Sequence, residues 1–322
     1  MPYRKVARFA ALALAIALVF ACLLYLITRL EWSEALKVLR GVDLVGLASA
    51  IVCVHIAYIC IRTLRWQLIV RDLNRGVPFV SLYWITAIVV SLGTLTPGQV
   101  GETAKVEMLK RSGFGSRLPG LGAFAVERVL DILVLAGFGL VGLGFGSGLS
   151  ARFPQLPVVA AMLLFVGLAV LFWLARSTPS GSPQGWLALL RSGTGTPAIM
   201  AKMLVLTVVS WCLVGFAWQI SLRTVGIDVS LAAVCWLVSL VTFGALISLM
   251  PGGIGLADVL TIQALIAMGA SPAAAQAGAL ILRVYLLIVI GFGICHLVAW
   301  LFLRRPFGGK RRGPEDRSEP TR

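Results

Sequence analysis

Long apolar runs alternate with short polar ones along the whole chain. Phe9–Thr28, Leu44–Ile61, Ile132–Ala151, Phe153–Ala175, Met203–Leu222 and Val284–Leu303 each hold 18 or more residues without Asp, Glu, Lys or Arg. About 20 apolar residues at 1.5 Å rise cross the hydrocarbon core of a bilayer. In lipid a segment must satisfy its own backbone polar groups, so the pattern predicts six spanning helices. Two further apolar segments are interrupted. Phe79–Thr96 runs into Pro97-Gly98, and Ser230–Met250 runs into Pro251-Gly252. Proline removes a donor and clashes with the preceding turn, so each segment predicts a broken or re-entrant helix. The expected fold is an all-α polytopic membrane protein with six full spans and two broken segments; eight full spans is the alternative.

Composition agrees with that class. Of 322 residues, 59% are hydrophobic and 13% charged, with mean hydropathy +0.95; a soluble domain carries roughly 25% charged residues. A net charge of +15 would suggest nucleic acid in a soluble protein. Much of this excess lies in short loops and at the ends, at Arg4, Lys5, Arg8, Arg304, Arg305, Lys310, Arg311 and Arg312. Membrane topology and anionic headgroups account for it, and no nucleic-acid partner is expected. The six cysteines (22, 53, 60, 212, 235, 295) lie in apolar segments without a C-x-x-C, as buried thiols do. The basic start and first apolar run resemble a signal peptide. That run is long enough to span and is followed by Thr28-Arg29-Leu30-Glu31, so an uncleaved anchor is expected.

The two interruptions echo each other. At an offset of 154, LTPGQVGET and LMPGGIGLA share Pro-Gly-x-x-Gly, followed by Glu102 in one case and Asp258 in the other. Arg128-Val129 and Arg283-Val284 follow at nearly the same spacing, and Gly137-Phe138-Gly139 matches Gly291-Phe292-Gly293. This ordered recurrence predicts a duplication, with halves of about 1–150 and 151–303 in one membrane domain. Residues 304–322 are expected to form a disordered basic tail. Charge then bears on topology. With both broken segments re-entrant, 21 Lys and Arg fall inside and five outside, which satisfies the positive-inside tendency better than eight full spans. The predicted result is an inverted repeat with both termini cytoplasmic.

In lipid, a helix break is tolerated where it is buried or lines a cavity. A helix restarting near Gly98 or Gly101 would aim N–H groups and its positive dipole end at a ligand, for which phosphate is the natural match. Pro97, Pro251, Gly252 and Gly255 enter the candidate site by the same argument. Glu102 either tunes that site or caps the helix. Lys105, three residues on, can pair with Glu102 or with phosphate. Glu127, Arg128 and Asp131 open an apolar helix on one face. Intramembrane charges cost roughly 2.5–3.5 kcal/mol each on insertion scales, so such residues meet a cavity, a partner or the interface. Arg283 has long apolar flanks; Asp258, Glu102 or an anionic substrate are its candidate partners. Arg62, Arg65 and Trp66 stand where a span is expected to leave the membrane, which favours snorkelling and an aromatic belt, with headgroup contact the sharper alternative. His55 and His296 read as buried and hydrogen-bonded. Gly142-x-Gly144-x-Gly146-x-Gly148 reads as helix packing.

These motifs together resemble the flippase-like family related to the transmembrane region of lysylphosphatidylglycerol synthases. The resemblance runs through R-x-x-R-W at Arg62–Trp66, P-G-x-x-G-E-x-x-K at Pro97–Lys105, E-R-x-x-D at Glu127–Asp131, P-G-G-x-G at Pro251–Gly255, and Arg283. It implies translocation of a membrane phospholipid or polyprenyl-linked lipid in the cell inner membrane. Asp258 stands where the family commonly has Glu, and no connection is long enough for the soluble aminoacyl-transferring domain of the full synthases. The resemblance therefore does not carry synthase activity. No cofactor is implied. An intramembrane transferase using Glu102 or Asp131 as base, and a non-catalytic partner of a lipid-modifying enzyme, are the other two readings.

Overall fold

A computed structural model describes residues 32–73, 77–111, 117–145, 155–176, 196–248 and 250–303. The expected first span Phe9–Thr28, the 177–195 segment and the tail lie outside the described residues, as does Cys22. Among the described residues there are ten α-helices and no strand. They are α1 (Trp32–Arg40), α2 (Leu44–Leu73), α3 (Phe79–Gly93), α4 (Ala104–Arg111), α5 (Arg117–Phe145), α6 (Gln155–Arg176), α7 (Pro197–Arg223), α8 (Leu231–Ser248), α9 (Leu256–Ala267) and α10 (Pro272–Phe302). Helices α2, α7 and α10 are each long and apolar enough to cross a membrane.

Local sequence explains where the long helices start. Thr196 accepts a hydrogen bond from the Ile199 N–H, with Pro197 at the first helical position. Ser271 and Pro272 repeat the device for α10, with the Ala274 N–H as donor. Two boundaries depart from expectation. The helix of the run Leu44–Ile61 does not stop at Arg62, because α2 continues to Leu73. Glu127 and Asp131 do not open a helix either, because α5 starts at Arg117 and places them well inside it. In both places a few charges broke the apolar run without breaking the helix, and Arg62, Arg65, Glu127, Arg128 and Asp131 each have an ion-pair partner.

The two broken segments are helical hairpins. After α3, residues Pro97–Thr103 form a 3₁₀ turn, and the chain folds back so that Gly93 lies against Glu102, where an added Cβ would meet its Cγ at 2.8 Å. After α8, Pro251–Gly253 form a second 3₁₀ turn, and α9 returns along α8. Gly244 lies under Leu260, and Gly253 under Ala245 and Ala257. The arm α3 has 15 residues, about 22 Å of helix, which is short of the roughly 30 Å hydrocarbon core. The tips touch: the Gly252 N–H donates to the Thr94 carbonyl at 3.0 Å.

Packing interleaves the halves. Helix α2 lies along α7, α3 packs on α10, and α8 packs on α5. At the last contact a Cβ on Gly142 would come within 2.1 Å of Trp236, so the glycine permits the approach. The main core joins Leu135, Trp211, Leu237, Leu265 and Leu282 from five different helices. Cys235 is buried, whereas Cys53 and Cys295 face outward from the helices, contrary to the expectation that all the thiols are buried. On a lipid-facing surface an apolar thiol needs no protein cover.

Candidate functional site

The first half folds four cations and three carboxylates into one buried cluster. Arg62, from α2, donates to the Tyr58 hydroxyl at 2.8 Å, to Glu127 at 2.8 Å and to Glu102 at 3.0 Å. One turn later Arg65 is 1% exposed. It donates to Asp131 at 2.7 Å, to Thr207 of α7 at 2.8 Å, and also to Glu127. Lys105 of α4 reaches Glu127 at 2.8 Å and Glu102 at 3.6 Å, with its ammonium 4.9 Å from the centre of the Trp66 ring. Arg128 binds Glu102 and lies 3.7 Å from Asp131. The Trp211 indole N–H completes the shell of Asp131 at 3.2 Å.

Helical spacing makes this possible. Arg62 and Arg65 are three apart, and Glu127 and Asp131 four apart, so α2 and α5 each present a charged face. A buried ion pair is stable only where hydrogen bonds satisfy its remaining donors and acceptors, and the cluster supplies many of them. Arg62, Arg65 and Trp66 are thus neither snorkelling nor part of an aromatic belt. They are core residues, and Glu102 is an ion-pair acceptor rather than a helix cap.

The second half is simpler. Arg283, from the interior of α10, donates through Nε to Asp258 at 2.6 Å and through Nη1 to the Gly252 carbonyl at 2.6 Å. Asp258 also accepts the Gly255 N–H at 3.0 Å, so it caps α9 while holding the guanidinium. The Arg283 and Asp258 side chains are 26% and 15% exposed. Both border a cavity of about 180 Å³ at the meeting point of the hairpins. Gln99, Thr94 and Thr96 come from the first tip, Gly252 and Gly253 from the second, and Tyr58, Trp211, Trp218 and Tyr285 from the long helices. His55 lines the same space and bonds Ser91 at 3.0 Å. The His296 Nδ1–H donates to the Phe292 carbonyl at 2.9 Å, and the ring is only partly buried.

The backbone N–H groups named for ligand binding have internal partners. The Gly101 N–H donates to the Thr96 hydroxyl at 2.8 Å, that of Gly252 to Thr94 and that of Gly255 to Asp258. Gly98 and Pro97 belong to the 3₁₀ turn that precedes α4, and Pro251 opens the second turn. The expected helix restart near Gly98 or Gly101 is therefore replaced by a tight 3₁₀ turn in which the Gln99 and Gly101 N–H groups both close on Thr96. The glycines matter for backbone shape: Gly252, Gly253 and Gly255 have φ of +63°, +66° and +91°.

Among the sequence candidates, Arg62, Glu102, Lys105, Glu127, Arg128 and Asp131 come together in the cluster. Arg283, Asp258 and Gly252 come together at the cavity. Arg65 was left outside the candidate site, although its spacing from Arg62 was the available signal. Gln99, Tyr58, Trp211, Trp218 and Tyr285 gave no signal, since each sits in a segment whose pattern is simply apolar or turn-forming.

The family described as the lysylphosphatidylglycerol synthase TM region matches residues 11–294, which takes in both hairpins and every residue of the cluster. The chain belongs to that family. It is a membrane protein of the lysylphosphatidylglycerol synthase TM type, and the motifs that carried the resemblance are those that build its charged core and its cavity. No curated protein matches its sequence.

Proposed function

We propose that this chain translocates a phospholipid or lipid-linked anionic headgroup through the cavity between the hairpin tips. The supporting observation is the position of Arg283. It is a partly exposed guanidinium in the middle of an apolar helix, on the wall of a cavity bounded by two breaks of the membrane-embedded backbone. Intramembrane ionisable residues at such places mark substrate paths. A cavity at the interface of two repeat halves is also where transporters bind their cargo.

In this reading the chain is an inverted repeat of three spans plus a hairpin, twice over, in the cell inner membrane with both termini cytoplasmic. Equivalent partners support it: α3 on α10 matches α8 on α5, and Glu102–Arg128 matches Asp258–Arg283. The transferase reading fits less well. Glu102 and Asp131, its candidate bases, are each engaged by guanidinium groups of the buried cluster, so neither is left free to meet a substrate. A partner enzyme that modifies the lipid remains compatible with translocation.

The test is lipid translocation in proteoliposomes containing headgroup-labelled lipids. Faster equilibration of an anionic lipid between leaflets than in protein-free vesicles supports the proposal; equal rates for every lipid overturn it.

A further inference from the structure

We propose that the cavity selects a headgroup with one negative charge, a phosphodiester, and that Gln99 sets this by controlling access to Arg128. The inference rests on the translocation reading above and names the substrate class of the same site. The first observation is a charge count. Among the described residues, the buried cluster sets Arg62, Arg65, Lys105 and Arg128 against Glu102, Glu127 and Asp131, an excess of one positive charge. Arg283 and Asp258 cancel each other. A net positive charge that meets, through Gln99, a cavity within apolar helices attracts a monoanion. A phosphodiester carries a single charge, whereas a phosphomonoester carries about −1.5 to −2 at pH 7 and would leave charge unmatched.

The second observation identifies the contact. Arg128 is the most exposed cation of the cluster, at 23%. Its Nη1 donates to the Gln99 side-chain oxygen at 3.2 Å, and Gln99 lines the cavity. Gln99 also stands at φ +56°, in the left-handed region that favours glycine. A strained non-glycine residue at a ligand-facing turn holds a side chain where the site needs it. The neutral amide satisfies Arg128 without cancelling its charge. A diester oxygen is a stronger acceptor for the same donor and can displace the amide.

The experiment measures lipid retention by native mass spectrometry of the full chain in mixed micelles. The probes are phosphatidylglycerol, phosphatidic acid and phosphatidylcholine, with glycerophosphoglycerol as a soluble competitor. The wild type retains phosphatidylglycerol over both other lipids. Gln99→Glu, which puts a carboxylate beside Arg128 and cancels the cluster's net charge, loses that preference by about tenfold while its melting temperature stays level or rises. Arg128→Gln is the second variant and loses the preference too. Displacement by glycerophosphoglycerol places recognition in the headgroup alone, and resistance to it places recognition in the whole lipid; both uphold the diester. Equal retention of phosphatidylcholine, tighter retention of phosphatidic acid, or an unchanged preference in both variants overturns the proposal. Selective retention without translocation would leave this inference standing and remove the transport reading instead.

Discussion

Arg283 lies against Asp258 at 2.6 Å, on the wall of the cavity and with that carboxylate as its one ion-pair partner among the described residues. Its counterpart in the first half, Arg128, binds Glu102 inside a cluster of seven charges. An acid–arginine pair thus appears once inside a network of charges and once with no further charged partner among the described residues, and the two should respond differently to mutation.

Arg283→Leu removes a cation bordering the cavity and two hydrogen bonds, but Asp258 keeps its cap on Gly255. The chain should melt within a few degrees of wild type in detergent while lipid translocation falls to background. Asp258→Asn keeps a side-chain oxygen for the cap but leaves Arg283 unpaired, so it should lower melting temperature more than Arg283→Leu does. A side-by-side thermal melt checks the order.

Asp131→Asn and Arg65→Leu each strip one partner from a fully buried network. Breaking such a pair typically costs about 3–5 kcal/mol, because the remaining charge is left without compensation. Both variants should show sharply reduced melting temperature or yield. Arg111→Ala is the control. Its pair with Glu107 is solvent-exposed, with side chains 78% and 36% accessible, and its loss should not be measurable.

Glycine substitutions should sort by backbone rather than by ligand contact. Gly255→Leu forces a side chain onto φ +91°, and Gly101→Leu drives a Cβ to within 2.7 Å of Thr96. Both should lose stability and transport together, which reverses the sequence-based expectation that bulky changes here hurt function more than stability. Gly291→Ala, with nothing within 4 Å of the added Cβ, should be neutral in both assays.

The membrane architecture is testable with two exposed positions, Lys110 and Asp228. In a background lacking the native cysteines, Lys110→Cys should label from the cytoplasmic side and Asp228→Cys from the opposite side. Eight full spans would invert both results.

Much of this was legible in the sequence because membrane helices write their length and their breaks in plain letters. Pro97-Gly98 and Pro251-Gly252 marked both hairpin tips, and the acid and arginine after each marked both pairs. What stayed hidden depended on tertiary neighbours. Arg65 beside Trp66 looks like a membrane-exit pair until Asp131 and Thr207, far along the chain, are brought to it. The run from Arg62 to Arg75 reads as polar, yet the helix carries on to Leu73 because its two buried arginines are neutralised by α5. Trp211 and Tyr285 line the cavity from helices that read as uniform apolar spans, where periodicity says nothing about which face meets empty space.

The most direct measurement is headgroup translocation by the purified chain in liposomes, comparing wild type with Arg283→Leu at matched reconstitution. The account predicts that wild type moves phosphatidylglycerol between leaflets faster than empty vesicles do. It also predicts that Arg283→Leu, folded and inserted to the same extent, falls back to the empty-vesicle rate. Equal rates for the two proteins would contradict it, because the cavity wall would then carry no part of the transport path.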